Sequence, residues 1–257
     1  MAGRSPGLRG LMRGLRGLWR LLRVAAHVLR GLLTVAVVFP RRDAVGRQWH
    51  IQRWSEGLLR ALGVRLSVIQ EGTVAPASLV VLNHVSWLDI ACVHAALPQA
   101  RFVSKADVRH WPLIGWMVAA AGTLFIEREK KRDALRVVHH CAEALQRGET
   151  VAVFPEGTTG PGAELLPFHA NLLQSALAVQ APLQPLALRF FTADERFAQA
   201  AQFVGETTLL QSLWRLATAR GLQAELRLLP ALPTEGMERR ALAEATRGVI
   251  QAALLRP

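Results

Sequence analysis

A histidine and an aspartate stand five positions apart in the segment NHVSWLD, residues 83–89, directly after the apolar run SLVVL at residues 78–82. A histidine beside a carboxylate can accept a proton in a reaction, but on one continuous helix these two positions would point about 140° apart. They can meet if His84 lies in the turn after a strand and Asp89 in the first turn of the next helix. The S-x-x-D spacing favours this, because it predicts Ser86 at the N-cap and Asp89 at N3 of a capping box.

On this segment alone a second interpretation stays open. Asp89 would then only complete the capping box, and His84 would only bond a loop carbonyl. The elements around the pair, and the residues that those elements bring to it, decide between the two.

Short apolar runs alternate with helical stretches from residue 65 onward. The predicted strands are residues 65–69, 78–82, 101–104, 123–127, 150–154, 182–188 and 224–229. The predicted helices are residues 88–97, 112–121, 131–147, 169–179, 208–219 and 237–255. Strands separated by helices predict an α/β fold with a largely parallel sheet covered by helices. Because ligands of such sheets gather at the carboxyl ends of the strands, the site is expected just after residues 78–82, 123–127 and 150–154.

The sequence lacks the motifs of several reaction classes that are common among α/β proteins. The sequence has no G-x-S-x-G elbow, no Walker loop and no G-x-G-x-x-G after a predicted strand. Cys92 and Cys141 have neither a C-x-x-C partner nor Cys/His ligand spacing, so we expect no metal site and two buried cysteines.

The positive charge of the chain is concentrated at its start. The formal net charge is +12, and residues 1–50 hold ten arginines and one acid, a net charge of +9 that leaves +3 for the rest. Because the charge lies off the body of the chain, the sequence favours a membrane surface over a nucleic acid as the anionic partner.

The first 40 residues predict a membrane-associating segment. Leucines between Leu8 and Leu22 fall on one helical face, arginines between Arg9 and Arg23 on the opposite face, and glycines in a third sector. Residues 21–39 are apolar enough to span a bilayer by length but include Arg23, His27 and Arg30, which favours insertion in one leaflet. The alternative is a helix packed on the protein's own core. The sequence VVFPRR that follows lacks the cleavage site of a signal peptide.

Two further motifs follow predicted strands, GTLFIER at residues 122–128 and FPEGTT at residues 154–159, and APLQPLALRF follows at residues 181–190. Together with the H-x4-D spacing of His84 and Asp89, these blocks resemble the glycerolipid acyltransferase family in order and spacing. The resemblance covers about residues 65–190, with a continuation at residues 206–216. One departure is Thr159, where many members of that family have an arginine.

The resemblance implies an O-acyltransferase that needs no cofactor beyond its cosubstrate, an acyl thioester of coenzyme A or acyl carrier protein. His84 would act as general base, and Asp89 would fix its tautomer and stabilise the imidazolium. Lys105 and Arg128 would grip the phosphate of the acceptor, and Glu156, Gly157 and Thr158 would shape its site. The expected acceptor is 1-acyl-sn-glycerol 3-phosphate, giving phosphatidic acid. The alternatives are a non-phosphate acceptor such as a lyso-ornithine lipid, or a non-catalytic membrane adaptor with the same fold.

The expected organisation is a membrane-associating segment at residues 1–49 and an acyltransferase domain at residues 50–257. Membrane lipids are the expected partners, and the bacterial inner membrane, with the domain on the cytoplasmic face, is the expected location. Trp111 and Trp116 belong either to an apolar surface facing acyl chains or the bilayer, or to ordinary core. The other histidines, His169 among them, are assigned no role.

Overall fold

A computed structural model describes the backbone of residues 6–126 and 131–256. The helices are α1 (Pro6–Leu33), α2 (Ala44–Leu62), α3 (Leu88–Ala96), α4 (Ile114–Ala120), α5 (Lys131–Gln146), α6 (Gln174–Val179), α7 (Leu209–Thr218) and α8 (Arg239–Leu254). The strands are β1 (Arg65–Gln70), β2 (Leu79–Leu82), β3 (Arg101–Lys105), β4 (Leu124–Ile126), β5 (Val151–Val153), β6 (Leu183–Phe191) and β7 (Gln223–Leu228).

The seven strands form one sheet in the order β1-β7-β6-β2-β5-β3-β4. β2 pairs in parallel with β5 and β6, β3 pairs in parallel with β4 and β5, and β1 pairs in parallel with β7. β6 and β7 run antiparallel. The prediction of a largely parallel sheet covered by helices is therefore confirmed.

The central strand β2 explains how the sheet is covered on both sides. All four of its residues are buried, and successive side chains point to opposite faces. Val80 and Leu82 pack with residues of α1, α2, α3 and α7, whereas Leu79 and Val81 pack with residues of α5, α6 and α8. A strand buried on both faces has the continuous apolar sequence seen here.

One face of α1 packs on the protein's own core, and its leucine face stays exposed, so insertion in a membrane stays a prediction. Val24 is buried in the core, and a Cβ added to Gly17 would lie 2.7 Å from Cγ2 of Thr218, so a glycine allows α1 to pack closely on α7. The leucine face stays exposed, with Leu11, Leu15, Leu18 and Leu22 between 55% and 61% exposed. Among the described helices, Gly10–Arg41 is long and apolar enough to cross a membrane, by length and composition only.

α2 is the element that the sequence analysis missed. Its N-cap residue Asp43 accepts a hydrogen bond from the backbone N–H of Gly46 at 2.8 Å, and Gly63 ends the helix in the left-handed conformation, with φ of +76°. The boundary expected between residues 49 and 50 falls inside this helix. The division of the chain into a segment and a domain stays a prediction.

Candidate active site

Asn83 fixes the point at which β2 ends. Its side chain bonds the backbone of Leu188 in β6 in both directions, with Nδ2 donating to the carbonyl and Oδ1 accepting from the N–H, each at 2.9 Å. The buried side-chain amide of Asn83 thus extends the pairing of β2 with β6 by one residue. His84 therefore leaves the sheet at a defined place, a role for Asn83 that the sequence analysis did not anticipate.

His84 and Asp89 meet in the turn between β2 and α3. Nδ1 of His84 lies 2.8 Å from Oδ2 of Asp89, a fully buried residue whose Oδ2 also accepts from the backbone N–H groups of Val85 at 2.7 Å and Ser86 at 2.9 Å. Because a carboxylate only accepts, Nδ1 carries the proton and Nε2 of His84 is the basic nitrogen. The side chain of His84 is 19% exposed, so the ring is accessible at one edge.

The predicted capping box is one residue out of register. Helix α3 begins at Leu88 with Trp87 as its N-cap, not Ser86, and the hydroxyl of Ser86 accepts from the N–H of Leu88 at 3.3 Å. Asp89 does accept from the Ser86 N–H, as a capping-box carboxylate does, but the same oxygen also binds His84. Capping and orientation of the histidine are thus one arrangement, and the two interpretations of the segment do not exclude each other.

An aromatic stack supports the imidazole. The ring of His84 stacks on Phe154 with centroids 3.8 Å apart and planes 15° apart, and Phe154 stacks in turn on Phe102 at 5.5 Å. Phe154 directly follows β5 and Phe102 lies in β3. The neighbouring strands therefore hold the histidine ring from one side while Asp89 holds its Nδ1.

Glu156 binds backbone on two sides of the site. Oε1 accepts from the N–H of His84 at 2.7 Å, Oε2 accepts from the N–H of Leu166 at 2.9 Å, and the carbonyl of His84 accepts from the N–H of Gly160 at 2.7 Å. Burial raises the pKa of the Glu156 carboxyl, and the two backbone donors oppose this. These contacts indicate a residue that positions His84 through its backbone. Its expected role in shaping the acceptor site stays a prediction.

We expect Glu156→Gln to lower kcat about tenfold with little change in KM for the acceptor. An amide has one accepting oxygen, so its NH2 would face a backbone N–H of either His84 or Leu166; a tenfold loss corresponds to about 1.4 kcal/mol. Steady-state kinetics would separate the two roles, since a residue that binds the acceptor would chiefly raise KM. A dominant KM effect would contradict the positioning role.

The remaining predicted residues lie along the same edge of the sheet or outside the described residues. Gly157 and Thr158 are exposed in the loop after β5, and Gly157 has φ of +71°, which favours glycine. Lys105 is exposed at the carboxyl end of β3. Arg128 lies outside the described residues. Their expected contacts with a substrate stay predictions.

His169 lies beside this loop although the sequence analysis assigned it no role. A Cβ added to Gly157 would be 3.1 Å from Cδ2 of the His169 ring, and the backbone N–H of His169 donates to the carbonyl of Pro155 at 2.8 Å. The hydroxyl of Thr159 donates to the carbonyl of Phe203, so this side chain ties the loop to the chain before α7. No sequence spacing predicts this position of His169, which is twelve residues after Gly157, because a turn of the chain places it beside the loop.

The cysteines are buried, as expected. Burial raises the pKa of the Cys141 thiol to about 12, and burial followed by the charge of Asp89 raises that of Cys92 well above its ordinary value. Both therefore stay protonated and unreactive at neutral pH. Among the residues that the structure describes, no group of three or more His, Cys, Asp and Glu side chains is placed to hold a metal ion.

Fold and site together define an α/β domain with a carboxylate-oriented histidine at the carboxyl ends of parallel strands, placed to accept a proton. A family model described as Acyltransferase matches residues 65–189. A lyso-ornithine lipid O-acyltransferase of Pseudomonas aeruginosa is 39% identical over 234 residues, covering 91% of this chain and 87% of that protein. A 1-acyl-sn-glycerol-3-phosphate acyltransferase of Neisseria meningitidis is 39% identical over 168 residues, covering 65% of each chain.

The fold has a counterpart among solved structures. The crystal structure of the 1-acyl-sn-glycerophosphate (LPA) acyltransferase PlsC from Thermotoga maritima matches with a TM-score of 0.68 at 18% identity, covering 96% of both chains. At this identity the match concerns the fold alone. The sequence matches establish that this chain belongs to the acyltransferase family and is an acyltransferase enzyme.

Proposed function

We propose that this enzyme transfers a fatty acyl group from an acyl thioester, of coenzyme A or acyl carrier protein, to the hydroxyl of 1-acyl-sn-glycerol 3-phosphate, giving phosphatidic acid. The observation that carries the proposal is the His84–Asp89 pair, in which Nδ1 is held at 2.8 Å by a buried carboxylate. This pair follows a parallel strand, in a chain with acyltransferases of lysolipids among its relatives.

The mechanism follows from the roles that this geometry allows. Nε2 of His84 takes the proton of the acceptor hydroxyl as its oxygen attacks the thioester carbonyl carbon. The C–S bond then breaks, and the imidazolium returns the proton to the leaving thiolate, giving an ester and a free thiol. Buried Asp89 stabilises the transient imidazolium, and no covalent acyl-enzyme is required.

A lysine on the same edge and the arginine of a sequence motif support a phosphate-bearing acceptor. Lys105 ends β3, which pairs with the strand that leads to the Phe154–Thr158 loop, and Arg128 is the basic residue of the GTLFIER motif. Arginine suits phosphate because its planar guanidinium forms paired hydrogen bonds. Two relatives named as 1-acyl-sn-glycerol-3-phosphate acyltransferases, from two Neisseria species, are 38–39% identical over 168–169 residues.

A lyso-ornithine lipid is the second candidate acceptor. The relative whose match covers 91% of this chain is named as a lyso-ornithine lipid O-acyltransferase. Thr159 stands where the resembled family often has an arginine, and its hydroxyl is engaged by the carbonyl of Phe203. Both observations favour a site with less fixed positive charge than a dedicated phosphate site.

The acceptor and product are lipids, so the enzyme must work at a membrane, and exposed apolar side chains support this. Trp111 and Trp116 lie on the surface rather than in the core, because their side chains are 49% and 47% exposed; Leu113 beside them is 61% exposed. Together with the leucine face of α1, they offer apolar area to a bilayer. We place the enzyme on the cytoplasmic face of a bacterial inner membrane, where thioester donors are available.

The test compares both acceptors with the purified full chain in mixed micelles, with acyl-coenzyme A and acyl carrier protein donors supplied separately. We expect the higher kcat/KM for 1-acyl-sn-glycerol 3-phosphate, and we expect Arg128→Ala or Lys105→Ala to raise its KM more than that of the lyso-ornithine lipid. A higher kcat/KM for the lyso-ornithine lipid would replace the first candidate by the second. Transfer to neither acceptor would refute the proposal.

A further inference from the structure

An open cleft that the proposed reaction does not use lies between α1 and the C-terminal end of α7. α1 crosses the end of α7 at Gly17, where the side chains of Thr218 and Trp214 leave no room for a Cβ. The cleft beside this crossing has a volume of about 330 Å³ and is lined by Arg13, Arg16, Thr218, Ala219 and Arg220. Three of its five lining residues are therefore arginines, two from α1 and one from the segment after α7.

These arginines carry positive charge that the described residues do not balance. Arg13 and Arg220 each lie close enough to Arg16 to repel its charge, and none of the three forms an ion pair among the residues that the structure describes. Neither α1 nor α7 contains an acidic residue. Holding like charges together costs free energy, and a bound anion would offset that cost.

A fourth arginine, Arg20, is hydrogen-bonded to the protein and serves as a comparison for the three arginines of the cleft. Arg20 donates to the carbonyls of Ala217 at 3.2 Å and Ala219 at 2.7 Å, and so binds the C-terminal end of α7. Arg16 makes one long hydrogen bond, 3.4 Å to the carbonyl of Thr218, and Arg13 and Arg220 are exposed. Most donors of the cleft arginines therefore stay available to a ligand.

The cleft lies on the same edge of the sheet as His84. It immediately precedes β7, whose first residue, Gln223, pairs with Phe191 at the carboxyl end of β6, and β6 runs parallel to β2. Two strand spacings, about 10 Å, separate β7 from β2. A ligand in the cleft would thus be distinct from the acceptor at His84 but would face the same side of the molecule.

The leucine face of α1 indicates which anion reaches the cleft. At about 100° per residue, Arg13 lies opposite Leu15, Leu18 and Leu22 around the helix, and Arg16 lies about 100° or more from each of them. An interfacial helix buries its apolar face about 5–10 Å into the boundary between headgroups and acyl chains, which leaves its opposite face at the level of the lipid phosphates. A headgroup phosphate is therefore the anion nearest to these guanidinium groups.

We propose that the cleft formed by Arg13, Arg16 and Arg220 binds the phosphate of an anionic phospholipid headgroup and holds the catalytic edge of the sheet at the membrane. Two arginines from α1 and one from the segment after α7 fit a phosphate approached from two sides, with guanidinium groups that can each form paired hydrogen bonds. The site is an orienting contact, separate from the acceptor site at His84.

The test measures binding of the full chain to vesicles of phosphatidylcholine with phosphatidylglycerol, and of phosphatidylcholine alone, at moderate salt. Arg13→Gln with Arg220→Gln changes two exposed residues and is expected to weaken binding to the anionic vesicles about 25-fold, since each basic residue near the surface contributes about fivefold. The matched control, Arg239→Gln with Arg240→Gln, removes two exposed charges from α8 and is expected to change little. Adding Arg16→Gln should deepen the loss.

Two further measurements distinguish binding of a lipid headgroup from binding of free phosphate, and membrane binding from acyl transfer. The variant with Arg13→Gln and Arg220→Gln is called the cleft variant. Inorganic phosphate, compared with chloride at equal ionic strength, should compete with vesicle binding of the wild type and not of the cleft variant. Acyl transfer in uncharged micelles should be unchanged in the cleft variant, so this test does not depend on which acceptor is correct. If the cleft variant and the control variant lost equal vesicle affinity, the attraction would be diffuse and the proposal would be overturned. If the cleft variant lost phosphate binding but kept vesicle binding, the cleft would be a site for free anions, and this result would also overturn the proposal.

Discussion

His84→Ala is expected to lower kcat/KM for acyl transfer by about 10²- to 10⁴-fold, the range of a general base. The fold should survive, because the imidazole is partly exposed and its loss removes one stacking contact with Phe154. The backbone of His84 keeps its bonds to Glu156 and Gly160, and Asp89 keeps two of its three donors. The measurement is steady-state transfer by the purified variant, with thermal unfolding recorded on the same sample.

His139→Ala is the matched control for this variant. His139 is an exposed histidine of α5 that pairs with Glu143 at 3.1 Å. We expect its activity to equal that of the wild type. Near-wild-type transfer by a folded His84→Ala enzyme would show that another group accepts the proton, and the mechanism would have to be abandoned.

The sheet was predictable because strand and helix periods differ clearly in this chain. All seven predicted strands occur, and β2, for example, spans Leu79–Leu82 against a prediction of 78–82. The helix predictions were less accurate where a turn has helix-like spacing. Residues 169–173 were expected to start a helix, but residues 170–173 form turns and α6 begins at Gln174. Apolar spacing is shared by both conformations there, and only tertiary contacts such as that of His169 with Pro155 decide.

α2 was missed although its end signals are present. Asp43 and Gly63 are a good N-cap and a good C-terminal stop, but Gly46 and Gly57 inside the helix lower its propensity. Gly57 is nevertheless required, since a Cβ there would lie 2.3 Å from Cε1 of His27. Packing against α1 outweighs the propensity, and single-sequence periodicity does not contain that information.

The meeting of His84 and Asp89 was predictable, whereas the support around them was not. A turn between a strand and a helix is the arrangement that lets positions five apart approach, so sequence spacing suffices for the pair. Glu156 bonds the backbone N–H of His84, and Phe154 stacks on its ring, and both belong to the loop after β5, about 70 residues further along the chain. Motif order shows that such residues gather at one edge, but not which atom each of them holds.

Asp89→Asn is the substitution that separates the charge of the carboxylate from its geometry. Oδ2 accepts from His84, Val85 and Ser86, whereas Oδ1 is buried without a hydrogen-bond partner in the described part of the chain. An asparagine can therefore place its oxygen at the Oδ2 position and keep all three donors satisfied. What it removes is the negative charge that stabilises the imidazolium while the proton is held.

We expect Asp89→Asn to lower kcat by about 10²- to 10⁴-fold, with little change in acceptor KM; the upper end is the loss that the same substitution causes in a Ser-His-Asp hydrolase. Its thermal stability should stay closer to the wild type than that of Asp89→Ala, which leaves two backbone N–H groups without an acceptor at about 1–3 kcal/mol each. The double variant His84→Ala, Asp89→Asn should be no slower than His84→Ala alone, because the carboxylate acts through the histidine. Additive losses in the double variant would show that Asp89 serves the reaction independently, and an Asn variant with full kcat would reduce its role to capping α3.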